Sequence, residues 1–333
     1  MKKPFLSLSI RRLPVLLLAC LAVLAGCASP YAARRRAAIP ADFRRPTVPA
    51  GANGNRASPA RVDLGARLFA EPLLSRDHSM ACATCHDPAR DFQDSRPLPL
   101  RSSSPVAGEP AYRTPTLWNV GEQKRFFWDG RARSLEAQAL MPIANPLEMN
   151  LGVEEAAARL REEPAYVEEF AAAFAGEPAA NVVNPRNLGR ALAAYQRTLV
   201  SPQAPFDRWV EGDAAALSLS AQRGFALFTG KAACISCHTG WNFSDGRRHD
   251  IGLPLSAAVR GETRLKTPTL RELTGRAPYF HDGSKATVED VVAHYADGVQ
   301  RRAGTPAPVA LSSDERSDLV AFLRSLDSRT GEG

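Results

Sequence analysis

The chain has 333 residues, enough for about two domains of ordinary size, and a formal net charge of +7 at pH 7. The positive charge lies in the first 61 residues, which carry 11 Lys and Arg and one acidic residue. Residues 62–333 therefore sum to −3, so the basic balance of the whole chain does not indicate a nucleic-acid-binding surface on the folded part.

The first 27 residues have the order of an export signal. Basic side chains within residues 2–12 precede an almost wholly apolar run over 13–25, which is short for a membrane span. The run closes with LAGC at 24–27, which resembles the lipobox of bacterial lipoproteins and implies a lipid on Cys27. A plain secretory signal with an incidental Cys27 is the alternative. We expect a periplasmic protein that a lipid at Cys27 anchors to a bacterial membrane.

Residues 28–57 are rich in Ala, Arg, Pro, Gly and Asn and show no apolar periodicity. Such a composition is typical of a chain that cannot bury enough apolar surface to fold by itself. The sequence predicts a flexible tether here, whose RRR at 34–36 meets anionic lipid or nothing specific.

Four of the six cysteines form two identical motifs. CATCH spans 82–86 and CISCH spans 234–238, so that each cysteine pair is followed directly by a histidine. Cysteine pairs in an exported chain can form disulfides, act as redox centres or bind zinc. The added histidine instead indicates attachment of haem c, in which both thiols form thioethers and the histidine is the proximal iron ligand. We therefore predict two covalent haem c groups, held by these cysteines and histidines: Cys82, Cys85 and His86, and Cys234, Cys237 and His238.

The two motifs belong to a long internal repeat. Segments 65–69, 114–117 and 127–130 recur in the same order as 224–228, 267–270 and 280–283. Each copy continues into a helix start, with Ser134 and Thr287 as the expected N-caps. The halves are copies, and we predict an N-terminal cytochrome c domain over 58–205 and a C-terminal one over 206–333.

Helical patterns dominate both halves. Leu188, Leu192, Tyr195 and Leu199 recur on one face of a helix, and Ser312 precedes a final amphipathic helix. Runs of β-branched residues at period two are nearly absent. The predicted fold class is all-α, with two tandem cytochrome c-type domains that each enclose one covalently attached haem.

The repeat also distinguishes the two haem sites. Fourteen residues after the aligned Trp128 and His281, the first half has Pro142 and the second has Tyr295. The same structural position thus carries a residue that cannot bind iron in one half and one that can in the other. His294 is one position away, about 100° around a helix. A partly buried tyrosine whose hydroxyl bonds elsewhere is the alternative for Tyr295.

Two longer motifs carry a family resemblance. FWDGRARSLEAQALMPIANPLEM at 127–149 and APYFHDGSKATVED at 277–290 lie in order around the haem motifs. With them, residues 58–327 resemble the bacterial di-haem cytochrome c peroxidase family, which includes MauG-type enzymes. The resemblance implies a peroxidatic N-terminal haem and an electron-transfer C-terminal haem.

The activity implied by this resemblance is reduction of hydrogen peroxide to water with electrons from a small cytochrome c or cupredoxin, through a high-valent iron intermediate shared between the haems. A MauG-like peroxide-dependent oxidase that modifies a partner protein is one alternative. A non-catalytic di-haem electron carrier is another, although Pro142 argues against two closed irons. Relatives are often dimers, so a homodimer is an expected state.

The resemblance also implies roles for individual residues. Peroxidase-type relatives place Met, and MauG-type relatives Tyr, at the position of Tyr295, which would then be the sixth iron ligand. A phenolate stabilises ferric over ferrous iron, so a low reduction potential is expected there. Trp128 lies where relatives hold a tryptophan between the haems, as an electron relay. His281, its repeat partner, is expected to form a hydrogen bond near the C-terminal haem.

The pocket above the His86 haem is expected to be built by three residues that match distal residues of the family. Glu148 is the candidate general base and then acid for cleavage of peroxide. Its alternative is a solvated glutamate at a helix end. Gln138 would position peroxide or water, and Pro142 would keep the iron free of a protein ligand.

The sequence departs from the family at two points. No histidine lies between His86 and His238, so no loop histidine can cap the first iron, and activation by reduction should not be needed. In addition, Arg113 and Arg276 stand where relatives bind a calcium ion between the domains. Guanidinium groups disfavour a divalent cation nearby, so we expect calcium to be weak or absent.

Overall fold

A computed structural model describes residues 41–47, 58–94, 96, 112–178, 181–254 and 262–331. The predicted signal peptide over 1–27, with Cys27, lies outside the described residues, as does most of the predicted tether. Among the residues that the structure describes, no helix is both long enough and apolar enough to cross a membrane.

Helices make up most of the regular structure. The α-helices are α1 (Pro59–Phe69), α2 (Cys82–Cys85), α3 (Leu135–Ala144), α4 (Val153–Arg161), α5 (Pro164–Ala173), α6 (Pro185–Gln196), α7 (Pro205–Glu211), α8 (Leu219–Thr229), α9 (Val288–Ala293) and α10 (Ser313–Arg324). A π-helical turn, His294–Gly298, continues α9. Two short antiparallel strands, β1 (Arg248–Asp250) and β2 (Arg264–Lys266), form the sheet, with Arg248 opposite Lys266.

The helices begin after the N-cap residues that the sequence indicates. The side chain of Ser134 accepts a hydrogen bond from Ala137 N at the start of α3, and that of Thr287 accepts one from Asp290 N at the start of α9. Ser312 caps α10 in the same way. These predicted N-caps are confirmed. The predicted apolar face 188–199 is α6, although Leu199 lies beyond the end of that helix and is still buried.

Each half is centred on one close helix crossing. In the first half, a Cβ on Gly65 of α1 would lie 2.1 Å from the backbone oxygen of Ala191 in α6. In the second half, a Cβ on Gly224 of α8 would lie 1.9 Å from the backbone oxygen of Asp318 in α10. Gly65 and Gly224 begin the first repeated segment, so the repeat preserves a crossing at which only glycine fits.

The C-terminal half holds a cluster of phenylalanine rings: Phe206, Phe225, Phe228, Phe243 and Phe322. Phe43 joins this cluster, with its ring centroid 5.4 Å from that of Phe225, and it is fully buried. Arg45 donates to the carbonyl of Ser201 at 2.5 Å. Residues 43–45 fall within the range 28–57 predicted as a flexible tether, but burial of an aromatic ring fixes this part to the folded body.

The two halves meet through a reciprocal exchange of backbone hydrogen bonds. Arg113 N donates to His281 O at 2.8 Å, and Lys266 N donates to Trp128 O at 2.8 Å. Arg113 and Lys266 both directly precede a TPTL segment, and Trp128 and His281 are also repeat partners. The interface therefore has approximate two-fold symmetry, which places equivalent residues of the two halves face to face.

Candidate functional site

Both motif histidines are oriented by a backbone carbonyl. His86 Nδ1 lies 3.0 Å from Phe92 O, and His238 Nδ1 lies 2.8 Å from Phe243 O. A carbonyl only accepts, so each Nδ1 carries the hydrogen and Nε2 is left with its lone pair. Burial lowers the pKa of His86 to about 4 and also lowers the pKa of His238, so both imidazoles are neutral at pH 7. This is the state that binds iron.

The motif cysteines form no disulfide, and they lie in a setting that disfavours thiolates. Burial raises the pKa of Cys82 to about 12 and that of Cys234 to about 11. Redox exchange requires the thiolate, so the raised pKa values argue against a redox-active pair, whereas a bound metal would itself deprotonate these thiols. Within the described ranges, no cluster of three His, Cys, Asp or Glu side chains is arranged to hold a metal ion. In each half, two thiols outside any disulfide, beside a neutral and oriented histidine, fit haem c.

A cavity of about 480 Å³ lies beside the first motif. It brings together Cys82, Cys85 and His86 with all four residues predicted for the peroxidatic site: Trp128, Gln138, Pro142 and Glu148. Gln138 and Pro142 come from α3, and Pro142 lies inside that helix. The structure thus collects the predicted residues around one haem site, and their individual roles stay predictions.

Glu148 is positioned by a residue that sequence reasoning missed. Asn145 Nδ2 donates to Glu148 Oε1 at 2.8 Å, and Asn145 Oδ1 accepts from Leu147 N at 3.1 Å. The side-chain amide of Asn145 thus closes the turn after α3 and also holds the carboxylate of Glu148. Glu148 also lines a second cavity of about 330 Å³, whose lining includes Arg131 and the partly exposed Met141. Asn145 is the first residue of NPLEM in the family motif, and this position is the signal from which its role could have been predicted.

Trp128 lies at the contact between the halves. Its Nε1 donates to Arg113 O at 2.8 Å, and its ring is 6.1 Å from the ring of His281 in an edge-on arrangement. His281 is buried and its ring also lies 6.2 Å from that of Tyr112. The predicted relay residue and its repeat partner therefore touch each other, and the predicted hydrogen bond of His281 near the C-terminal haem stays a prediction.

Tyr295 lies near the second motif. Burial raises the pKa of its hydroxyl, and the neighbouring thiols of Cys234 and Cys237 raise it further. His294 points elsewhere, because its Nε2 donates to the carbonyl of Ile251 at 2.8 Å. Tyr295 thus remains the better candidate ligand of the pair, as the sequence predicts.

The guanidinium group of Arg113 bridges the two halves at the position where relatives were expected to bind calcium. Arg113 Nη1 donates to the carbonyl of Arg276 at 3.0 Å, and Nη2 lies 3.3 Å from Asp94 O and 3.4 Å from Gln93 Oε1. A cation of the chain itself therefore contacts oxygen atoms from both halves. Weak or absent calcium binding stays a prediction.

Residues 59–215 match the family described as di-haem cytochrome c peroxidase, and residues 221–327 match cytochrome c. The methylamine utilization protein MauG of Methylorubrum extorquens is 42% identical over 315 residues, covering 87% of this chain and 84% of that protein. The cytochrome-c peroxidase IdrP1 of Denitromonas iodatirespirans is 34% identical over 352 residues, covering 92% and 91%.

Among solved structures, a MauG-like protein associated with microbial copper homeostasis superposes with a TM-score of 0.72 at 28% identity, covering 87% of this chain and 95% of that one. The predicted fold of two tandem cytochrome c-type domains is confirmed, whereas the predicted boundary between 205 and 206 stays a prediction. The protein carries two covalent haem c groups and is a peroxidase-type oxidoreductase. The chain therefore belongs to the di-haem cytochrome c peroxidase family.

Proposed function

We propose that the protein reduces hydrogen peroxide to water with electrons from a small cytochrome c or cupredoxin. The observation that carries this proposal is the cavity beside His86, which is lined by a carboxylate, an amide and a proline at the position where the other half has Tyr295. Pro142 offers no atom that binds iron, so a small substrate meets no competing protein ligand there.

The chemistry requires two electrons and two protons for each peroxide, and it breaks the O–O bond to give two waters. Cys82, Cys85 and His86 would hold a haem that would supply iron for peroxide activation, and Cys234, Cys237 and His238 would hold a second haem as a redox centre. Glu148 would take a proton from one peroxide oxygen and return it to the other, which leaves as water, and the Asn145 amide keeps Oε1 of Glu148 in place. Gln138 positions the substrate.

Trp128 is proposed to relay electrons between the halves. The indole is held by the hydrogen bond to Arg113 O and by the contact with His281, so it can change oxidation state with little rearrangement. Tyr295 is proposed to bind the iron at His238, in support of a low reduction potential there.

The substitution Glu148→Gln tests the proposed function. Removal of a general acid–base group costs about 10²- to 10⁴-fold in rate, so peroxide consumption should fall by that range at unchanged haem content. Glu154→Gln, an exposed change in the first turn of α4, is the control and should match the wild type. Equal rates in Glu148→Gln and the control would contradict the role of Glu148.

A second candidate function is peroxide-dependent oxidation of a partner protein. The observation that favours it is the 42% identity to the methylamine utilization protein MauG. The two candidates differ in where the electrons originate. Steady turnover of peroxide with a reduced cytochrome c or cupredoxin supports the first, whereas loss of hydrogens from a co-expressed partner, measured by mass spectrometry, supports the second.

We also propose that the protein is exported to the periplasm and held there by a lipid on Cys27. The support is the basic, apolar and LAGC order of residues 1–27. Metabolic labelling with palmitate checks this proposal. Incorporation that is lost in Cys27→Ser is expected, and unlabelled wild-type protein would contradict the anchor.

A further inference from the structure

The cavity beside His86 is lined by more cationic than anionic side chains. Among the described residues, its one lining carboxylate is Glu148, whereas four lining residues are basic: Arg113, Arg131, Lys266 and Arg276. Arg131 pairs with Asp129 at 3.0 Å. Arg113 donates to three neutral oxygen atoms of the interface, and its Nε has no hydrogen-bond partner among the described residues. Lys266 and Arg276 likewise donate to neutral oxygen atoms, so their hydrogen bonds do not neutralise their charges.

Lys266 is a buried ammonium with a neutral partner. Its Nζ donates to Gln123 Oε1 at 2.7 Å, and within the described part of the chain it forms no ion pair. The residue is only 9% exposed, and burial lowers its pKa to about 8. Burial of a charge without an opposite charge is costly, so an anion is expected beside it. Gln123 lines the same cavity.

Arg276 also has a buried polar group that its neighbours do not satisfy. Its Nη2 donates to Thr269 O at 2.8 Å, but its buried Nε has no hydrogen-bond partner among the residues that the structure describes. Burial lowers its pKa to about 10, against the smaller opposing influence of Tyr279 and nearby carboxylates. A buried donor without an acceptor is destabilising, and an acceptor in the cavity would remove that cost.

We propose that Lys266 and Arg276 bind the propionate carboxylates of the haem attached at Cys82 and Cys85. The cysteines belong to the N-terminal half, whereas both cations belong to the C-terminal half. The haem of one half is thus held partly by the other half, and its charge is balanced across the interface. This inference rests on the two covalent haems of the family and does not depend on which oxidant or donor the protein uses.

Position in the repeat supports the assignment. Lys266 directly precedes the second TPTL segment, as Arg113 precedes the first, and each reaches a polar group of the opposite half. The backbone of Lys266 is fixed by its bond to Trp128 O, so the side chain enters the cavity from a rigid position. A cation held this way can set the charge environment of the haem.

The substitution Lys266→Met tests the proposal, because it keeps the side-chain length and removes the charge. A nearby cation stabilises the reduced haem, so its loss should lower the midpoint potential of the His86 haem and leave that of the His238 haem nearly unchanged. Lys266→Arg keeps the charge and should retain the wild-type potential. Lys231→Met, which removes an exposed lysine paired with Glu315 at 2.7 Å, is the matched control and should shift neither haem.

Spectroelectrochemical titration of the holoprotein measures both potentials without any turnover. An unchanged potential at the His86 haem in Lys266→Met, or equal shifts in Lys266→Met and Lys231→Met, would overturn the proposal. Resonance Raman spectroscopy of Lys266→Arg gives a second measurement if Lys266→Met does not fold. The propionate bending band should shift because the hydrogen-bond geometry changes, and an unshifted band would also overturn the proposal.

Discussion

At the scale of single residues, the site depends on side chains that hold other side chains. Each haem-binding histidine is oriented by a carbonyl five or six residues further along the chain. Glu148 is held by Asn145, which closes the turn in which both residues lie. The reacting groups are therefore fixed by local structure that forms within each motif, and the motif spacing in the sequence reflects this requirement.

Asn145→Ala is expected to slow peroxide consumption without loss of haem. A hydrogen bond to a charged group contributes about 1.5–3 kcal/mol, so its removal should cost roughly 10- to 100-fold in kcat/KM. The reason is that the carboxylate of Glu148 loses its orientation. Stopped-flow measurement of the reaction with peroxide checks the rate. Asn145→Asp, which keeps the turn-closing oxygen but removes the donor, should be at least as slow, and wild-type rates in both variants would contradict the role.

At the scale of elements, the repeat is a packing unit as well as a haem-binding unit. α1 crosses α6 at Gly65, and α8 crosses α10 at Gly224, so that backbone contacts backbone in each half. The short segment before α1 adds Phe43 to the aromatic cluster of the second half, beside Phe243, whose carbonyl orients His238. Elements distant in sequence thus support the haem-binding loops.

Gly65→Ala is expected to destabilise the protein at this crossing. The added Cβ would lie 2.1 Å from the backbone oxygen of Ala191, which cannot move as a flexible side chain can. Overpacking of this kind costs about 1–3 kcal/mol in the free energy of unfolding. Thermal unfolding measures the loss as a lower Tm. Gly152→Ala, where the nearest neighbour of a Cβ is 4.0 Å away, is the control. Gly152 is the N-cap of α4, where alanine is less favourable than glycine, so a smaller fall in Tm is expected. An equal or larger fall in Gly152→Ala would count against the close crossing.

At the scale of the whole molecule, the sequence predicts features that depend on residues close together in the chain. It does not predict contacts between segments that are far apart in the chain. The haem motifs and the helix caps are local patterns, and with the long repeat they predicted the two halves and the contrast between Pro142 and Tyr295. The grouping of Gln138 and Glu148 with Pro142 was implied by the family resemblance. Burial of Phe43 within the predicted tether depends on rings from the far half. The entry of Lys266 into the opposite cavity depends on the interface, and no local pattern distinguishes a lysine that will be buried.

In our proposal the two haem sites differ, although the interface brings equivalent positions of the repeat together. Equivalent positions of the repeat face each other as Trp128 and His281, while Pro142 and Tyr295 make one iron open and the other closed in our proposal. In this proposal a near-symmetric frame supports two unlike redox centres, one with an open iron and one with a closed iron.

Low-temperature EPR of the ferric protein, beside Tyr295→Met and before and after addition of peroxide, tests that claim most directly. We predict one high-spin and one low-spin haem in the wild type, with peroxide altering the high-spin signal. In Tyr295→Met only the low-spin signal should change, because the substitution replaces a phenolate ligand by a thioether. Two low-spin haems that do not respond to peroxide, or a low-spin signal identical in Tyr295→Met, would contradict it.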